Sequence, residues 1–264
     1  MIILLVTSKT MDMEPVENLT LPTTTRPEFQ QEAYQLNRQL QTLDQEALKK
    51  MMKISYSLAN QTAQRIGDFS LRPTPKKLQP AILAFTGDVY EGLGARSLAS
   101  KDFSFAQSHL RILSGLYGVL RPLDAIQAYR LEPGYRWLPE DSISTLTQFW
   151  KPKITRALED AITQLPRASR MIVDLASKEF TDMINFQALG VPVIQPKFQD
   201  EKAGKLKTIT LYTKKARGRM AGWMIRNRIQ DAEGAKQFSE DGYGFDPIRS
   251  TETEWLFWRK SPKS

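Results

Sequence analysis

The chain of 264 residues contains no cysteine and a single histidine, His109. The first absence excludes disulfides, thiolate metal sites and a cysteine nucleophile, and it suits a reducing cytoplasm. The second excludes His-rich zinc and iron sites and leaves one imidazole for any Ser-His-Asp triad. Long apolar runs are missing too. The apolar N-terminus, residues 1–6, falls far short of the roughly 20 residues that cross a bilayer, and no basic region precedes it, so neither an anchor nor a signal peptide is expected. Neither the Rossmann nor the P-loop glycine spacing occurs, and the acids are not clustered, so no cofactor, no stable metal site and no membrane partner are expected.

What is present is charge gathered in one place. Lys and Arg number 37 against 29 Asp and Glu, a net charge of +8. The excess lies between Lys197 and Arg228, where Lys197, Lys202, Lys205, Lys207, Lys214, Lys215, Arg217, Arg219, Arg226 and Arg228 face only Asp200 and Glu201. The remainder of the chain is balanced. A neutral body with one cationic segment is the layout of a polyanion-binding surface, because the field over a patch follows local clustering. The plainer alternative is a solvated basic face.

Periodicity organises the chain as α/β. Residues 1–6 read as a buried strand that delivers Thr7-Ser8-Lys9-Thr10 at its C-terminal end, where open α/β sheets bind ligands. Apolar residues at helical intervals predict two or three short helices over 27–68. A strand is expected at 81–85, a helix at 103–113 and a long helix at 143–165. Strands at 171–175 and 191–194, with a helix over 178–189, suggest a βαβ unit. A strand at 208–213 should lead into a basic helix at 214–230, with a last strand at 255–258. The expected fold is one α/β domain over 1–260, with a mixed central sheet, flanking helices, a helical insertion at about 27–70 and a short tail at 261–264.

Four features can carry chemistry. Lys9, flanked by hydroxyls and followed by Asp12, can hold a phosphate or carboxylate, or simply close its strand. The glycines of Gly115-Leu-Tyr-Gly118, beside Tyr117 and Arg121, permit a ligand to approach the backbone, or mark a tight turn in which Arg121 and Asp124 pair locally. Asn60, Gln61 and Thr62 stand where a helix-hairpin-helix turn would offer backbone N–H groups to a DNA phosphate, or belong to an ordinary helical hairpin. In the cationic segment Lys205, Lys207, Lys214, Lys215, Arg217 and Arg219 are the expected phosphate contacts. His109 reads as a helix residue bonded within the fold. Asp88, Asp124, Asp174 and Glu179 follow strands or turns and can serve as bases, though spacing selects no pair. A competing reading is an enzyme acting on a nucleobase, nucleotide or nucleic-acid lesion, with Lys9, Asp12, Asp88, Tyr117, Arg121 and Lys202 converging at the strand ends.

Several of these segments carry a resemblance. Lys9-Thr-Met-Asp12, Gly87-Asp-Val-Tyr90, the block from His109 to Asp124, Tyr129-Arg-Leu-Glu132, Leu175-Ala-Ser177, Asp200-Glu-Lys202 and Lys214-Lys-Ala-Arg-Gly218 resemble the YaaA family of bacterial peroxide-stress proteins. The likeness runs from Met1 to about Arg259. It implies a cytoplasmic protein of the oxidative-stress response that limits iron-dependent peroxide damage. It also implies a helix-hairpin-helix element, a positively charged cleft and binding to double-stranded or branched DNA without sequence specificity. No enzymatic activity is established for the family that the chain resembles. The chain departs from the family at Val6-Thr7-Ser8, where Ser-Pro-Ala is usual, and at Asn60, where a glycine can stand.

Overall fold

The apolar, β-branched N-terminal run folds as strand β1 (Ile2–Val6), fully buried except at Val6. The computed structural model describes residues 1–16, 19–137 and 145–260. Three helices follow, α1 (Gln30–Leu40), α2 (Gln45–Met52) and α3 (Tyr56–Asp68). Asp44 caps α2, its carboxylate accepting from the Ala47 N–H at 2.8 Å, and Ser55 caps α3. Between them Lys53 adopts the left-handed conformation, with φ 52°. Asn37, buried, donates from Nδ2 to the Ile66 carbonyl at 2.9 Å and ties α1 to α3. The hairpin turn therefore falls at 53–55 and not at 60–63. Asn60, Gln61 and Thr62 lie inside α3, where backbone N–H groups are engaged by the helix, and Thr62 Oγ1 donates to the Leu58 carbonyl at 2.7 Å.

The next stretch corrects two expectations. Residues 81–85 are not a strand. After the two-residue strand β2 (Gln79–Pro80) comes a single helical turn, α4 (Ala81–Ala84). A short run buried on every side gives no period by which to tell the two apart. Helices α5 (Asp88–Leu93) and α6 (Ser100–His109) follow. The predicted helix over 103–113 ends at His109 and the chain continues directly as β3 (Leu110–Ser114). Strands β4 (Gly118–Leu120) and β5 (Ala125–Ile126) complete this part.

The long helix is α7 (Leu146–Thr163), and its predicted start at 143 lies outside the described residues, as does the tail. Strand β6 (Ile172–Asp174) is followed by two short helices in place of one, α8 (Lys178–Thr181) and α9 (Phe186–Leu189). Then come β7 (Val193–Lys202), β8 (Lys205–Lys207) and α10 (Thr210–Asn227). The expected strand at 208–213 is largely the first turn of α10, because the β-branched residues there face a helix that begins four residues earlier than the basic run suggests. Helix α11 (Ala232–Lys236) and strands β9 (Gly244–Phe245) and β10 (Glu254–Lys260) close the chain.

The central sheet is mixed, with eight strands in the order β4-β3-β1-β6-β7-β10-β9 and β8 on the flank of β7. Its inner strands β3, β1, β6, β7 and β10 are parallel, so their C-terminal ends share one edge. Helices α5 and α10 pack backbone to backbone through glycine. A Cβ on Gly218 would sit 1.8 Å from the Val89 carbonyl oxygen, and one on Gly92 2.2 Å from that of Lys215.

Candidate functional site

The ends of β3, β1 and β6 lie side by side at that edge, the position from which open α/β sheets present ligands. The chain leaves β1 through Thr7-Ser8-Lys9 and meets the segment 129–135, which crosses the end of β3. A Cβ on Gly115 would fall 2.3 Å from the Leu131 carbonyl oxygen, so glycine is required for this crossing. Arg130 Nη1 donates to the Lys9 carbonyl at 3.5 Å, and the Gly134 N–H donates to Glu179 Oε1 at 2.9 Å. Glu132 is held between these ties with 7% of its surface exposed. Burial pushes its carboxyl up to about 7, against the opposing pull of the Lys9 ammonium. One strand over, the buried Asp174 accepts from the Ala176 N–H at 3.0 Å and from Gln195 Nε2 at 3.3 Å. Burial pushes this carboxyl up to about 6, partly offset by the Ala176 N–H and by the Arg217 guanidinium. Two carboxyls at this edge, one on the segment that crosses the end of β3 and one at the end of β6, therefore have pKa values raised by burial toward neutrality.

Six buried side-chain polar atoms among the described residues have no hydrogen-bond partner, and four belong here: Thr7 Oγ1, Arg130 Nε, Tyr135 Oη and Arg217 Nε. Tyr135 lies beside the Arg130 guanidinium without a well-aligned bond. Of the other two, Arg219 Nε stands 2.9 Å from Asp241 Oδ2. On the outer side of the 134–137 segment a groove of about 550 Å³ opens toward α2, with Met51, Lys53, Tyr135, Trp137 and Glu179 in its wall.

The second charged region is a projecting ribbon. Only Val193 and Ile194 of β7 pair with β6, whereas 195–201 pair with β10, so the strand runs on past its inner neighbour. It turns at Ala203 and Gly204, with φ 53° and 74°, and returns as β8. Lys202, Lys205 and Lys207 on this ribbon are exposed, as is Lys214 near the start of α10. Elsewhere in the cationic segment, Lys197 pairs with Glu254 at 3.1 Å, Lys215 reaches Glu91 at 3.8 Å and Arg219 binds Asp241. Lys202, Lys205, Lys207 and Lys214 have no acidic partner among the described residues. Arg217 is turned inward to Asp174 and is largely buried.

The six residues expected to converge at the strand ends do not. Lys9 belongs to the cluster described above. Asp12 is paired with Arg96 at 2.6 Å, and Asp88 opens α5 just after Gly87, which backs onto Ser8. Tyr117 is buried in the core, where its hydroxyl accepts from the Gln127 N–H at 3.2 Å. Arg121 is bound to Asp124 at 2.9 Å and to the Arg26 carbonyl at 3.0 Å, which is the local pairing of a tight turn. It follows β4 at one edge of the sheet, while Lys202 ends β7 beyond β3, β1 and β6. His109 bonds through Nδ1 to the Met1 carbonyl at 2.8 Å and stacks on Phe105. The residues that sequence reasoning left without a role are Arg130, Glu132 and Tyr135. Their signal was the alternation Tyr129-Arg-Leu-Glu132, which puts charges among residues that bury.

The mixed α/β sheet with titratable groups at its strand ends can be set beside known proteins. The family model described as peroxide stress protein YaaA matches residues 1–249. A UPF0246 protein of Burkholderia lata is 40% identical over 260 residues, covering 98% of this chain and 99% of its own. Another from Cellvibrio japonicus is 41% identical over 258 residues, 97% of each chain. A third, from Dinoroseobacter shibae, is 43% identical over 240 residues, 91% of this chain and 89% of its own. The chain belongs to the YaaA family of peroxide stress proteins.

Proposed function

We propose that the protein serves in the peroxide stress response of the cytoplasm by binding double-stranded or branched DNA without reading its sequence, and so limits iron-dependent peroxide damage to it. The observation that carries this reading is the set of exposed lysines without acidic partners among the described residues, Lys202, Lys205 and Lys207 on the β7–β8 ribbon that runs past β6 and Lys214 near the start of α10. Point charges on a protruding two-stranded element can follow a phosphate backbone and carry no base information, so duplex and junction are both acceptable partners. Lys215 and Arg219 add positive potential from α10, though each already has an acid within 4 Å. The α2–α3 hairpin offers a second contact, with exposed Lys50 and Lys53 beside the N-terminus of α3, where Ser55 takes the Leu58 N–H and the Tyr56 and Ser57 N–H groups have no intrahelical acceptor. Asn60, Gln61 and Thr62 take no part in that contact.

The test is fluorescence anisotropy of labelled duplex and four-way-junction DNA with the wild type and with the combined variant Lys202→Glu, Lys205→Glu, Lys207→Glu, Lys214→Glu. These exposed positions carry no packing, so the variant should melt as the wild type does. Loss of affinity by roughly a hundredfold or more at low salt is expected. Unchanged affinity in the folded variant overturns the reading.

A further inference from the structure

We propose that the strand-end cluster is a binding site for a nucleotide phosphate monoester, either a free nucleoside monophosphate or the 5′-phosphorylated terminal nucleotide of a DNA strand. Buried polar atoms without partners are rare and call for a ligand, an ion or strain to explain them. Here Arg130 Nε and Tyr135 Oη stand beside each other on one loop without a well-aligned bond, Thr7 Oγ1 lies near the Tyr129 hydroxyl at the start of that loop, and all three can donate a hydrogen bond. Lys9 adds a fourth donor from the end of β1, and its own carbonyl is held by Arg130, so the cation and the guanidinium are tied together. Arg65 of α3 stands close enough to Arg130 for the two guanidinium charges to oppose each other. Two like charges brought together at a strand end are accommodated by an anion with several acceptor oxygens, and guanidinium matches phosphate in shape as well as charge.

The groove beside the cluster supplies the remainder of a nucleotide site. Tyr135 and Trp137 offer aromatic surface there, Met51 adds a soft apolar wall, and Tyr135 and Glu179 are common to groove and cluster. Aromatic faces of this kind hold bases without choosing among them.

Glu132 makes the site sensitive to pH. The charged groups that face it are Lys9 from the β1 exit, Arg130 from its own segment and Glu179 from α8. Protonated, Glu132 presents a neutral carboxyl that can donate to a phosphate oxygen. Ionised, it repels the dianion. Affinity should therefore be higher below pH 7 and fall as Glu132 ionises, by roughly tenfold between pH 6.5 and 8.5, a range in which the phosphate, with a second pKa near 6, stays largely dianionic. The Glu132→Gln variant should bind with little change over the same range.

The experiment uses the full chain. Calorimetric titration at low salt compares dAMP with deoxyadenosine, and anisotropy compares a short single strand bearing a 5′-phosphate with the same strand lacking it. Binding of dAMP but not deoxyadenosine identifies a free nucleotide as the ligand. Preference for the phosphorylated strand with weak dAMP binding identifies a DNA end. Either result supports the site. Arg130→Gln should weaken the phosphate-dependent binding at least tenfold and Lys9→Gln several-fold, while duplex binding through the lysine ribbon persists in both. Lys9 is exposed, so its variant decides the matter even if Arg130→Gln fails to fold. Affinities that ignore the phosphate, or that survive Lys9→Gln unchanged, overturn the proposal whatever becomes of the DNA-binding reading.

Discussion

The lysine ribbon and the strand-end cluster are both charged and stand at the same edge of the sheet, yet they are built in opposite ways. On the ribbon, Lys202, Lys205 and Lys207 are solvated point charges without acidic partners. Each is replaceable, and their effect is a sum that salt can screen. In the cluster, Glu132 is buried and Arg130 and Tyr135 are half-buried around it, and they meet one another at fixed positions. There no group substitutes for another, and the controlling variable is pH. Surface charge of the first kind is written in composition. Charge of the second kind exists only after the chain has crossed over β3 at Gly115.

The first way to break this contrast is to disturb the frame that holds both regions. Gly218 on α10 leaves no space for a side chain against Val89, so Gly218→Val should force α10 off α5 and destabilise the protein by about 4 kcal/mol or more, read as a loss of the cooperative melt. A similar loss is expected in Asp200→Ala. Asp200 is fully buried, with Arg259 Nε at 2.6 Å and the Tyr243 hydroxyl donating at 3.0 Å, and the Arg259 guanidinium lies over the rings of Tyr212 and Tyr243. Removing the acid leaves that cation without its partner under the ribbon, at a cost of about 3 kcal/mol in denaturant unfolding.

The cluster is expected to give a gain. The Glu132 carboxyl titrates near pH 7 in the folded chain and near 4.5 unfolded. The folded state thus binds the proton more tightly, and stability falls as pH rises through the window between those values. Glu132→Gln removes that loss, so the variant should be more stable than wild type at pH 8 by roughly 2 kcal/mol and nearly equal to it at pH 4.5. Equal stability at both values would mean that Glu132 is not held in the low-dielectric setting described. The smallest expected effect is Asn60→Gly, which lowers helix propensity in α3 and removes the exposed Gln45 Nε2–Asn60 Oδ1 bond, about 1 kcal/mol together, and leaves DNA affinity unchanged.

The same contrast explains what could be read before folding. β1, the βαβ pair β6 and β7, α7, α10 and β10 follow from apolar periodicity. The clustering of base between Lys197 and Arg228 is read directly from the positions of Lys and Arg. The misplaced hairpin turn came from reading Asn60 as a glycine substitute, when Asp44 and Ser55, three residues before the amides they cap, mark the true helix starts. The strand β3 was hidden because Leu110, Ile112 and Leu113 continue the spacing of α6, and only pairing with β1 turns them into sheet. Glu132 and Arg130 were invisible as a site because their meeting with Lys9 spans more than 120 residues and depends on a crossing no local pattern encodes.

The most direct measurement is DNA affinity across a salt series for the wild type, the four-lysine variant and Lys9→Gln. If the three ribbon lysines and Lys214 release counterions from duplex, the wild-type log–log slope should be at least about −3, the four-lysine variant should lose most of it, and Lys9→Gln should keep it. A slope near zero in the wild type, or one that the four-lysine variant retains, would contradict the assignment of DNA binding to the ribbon.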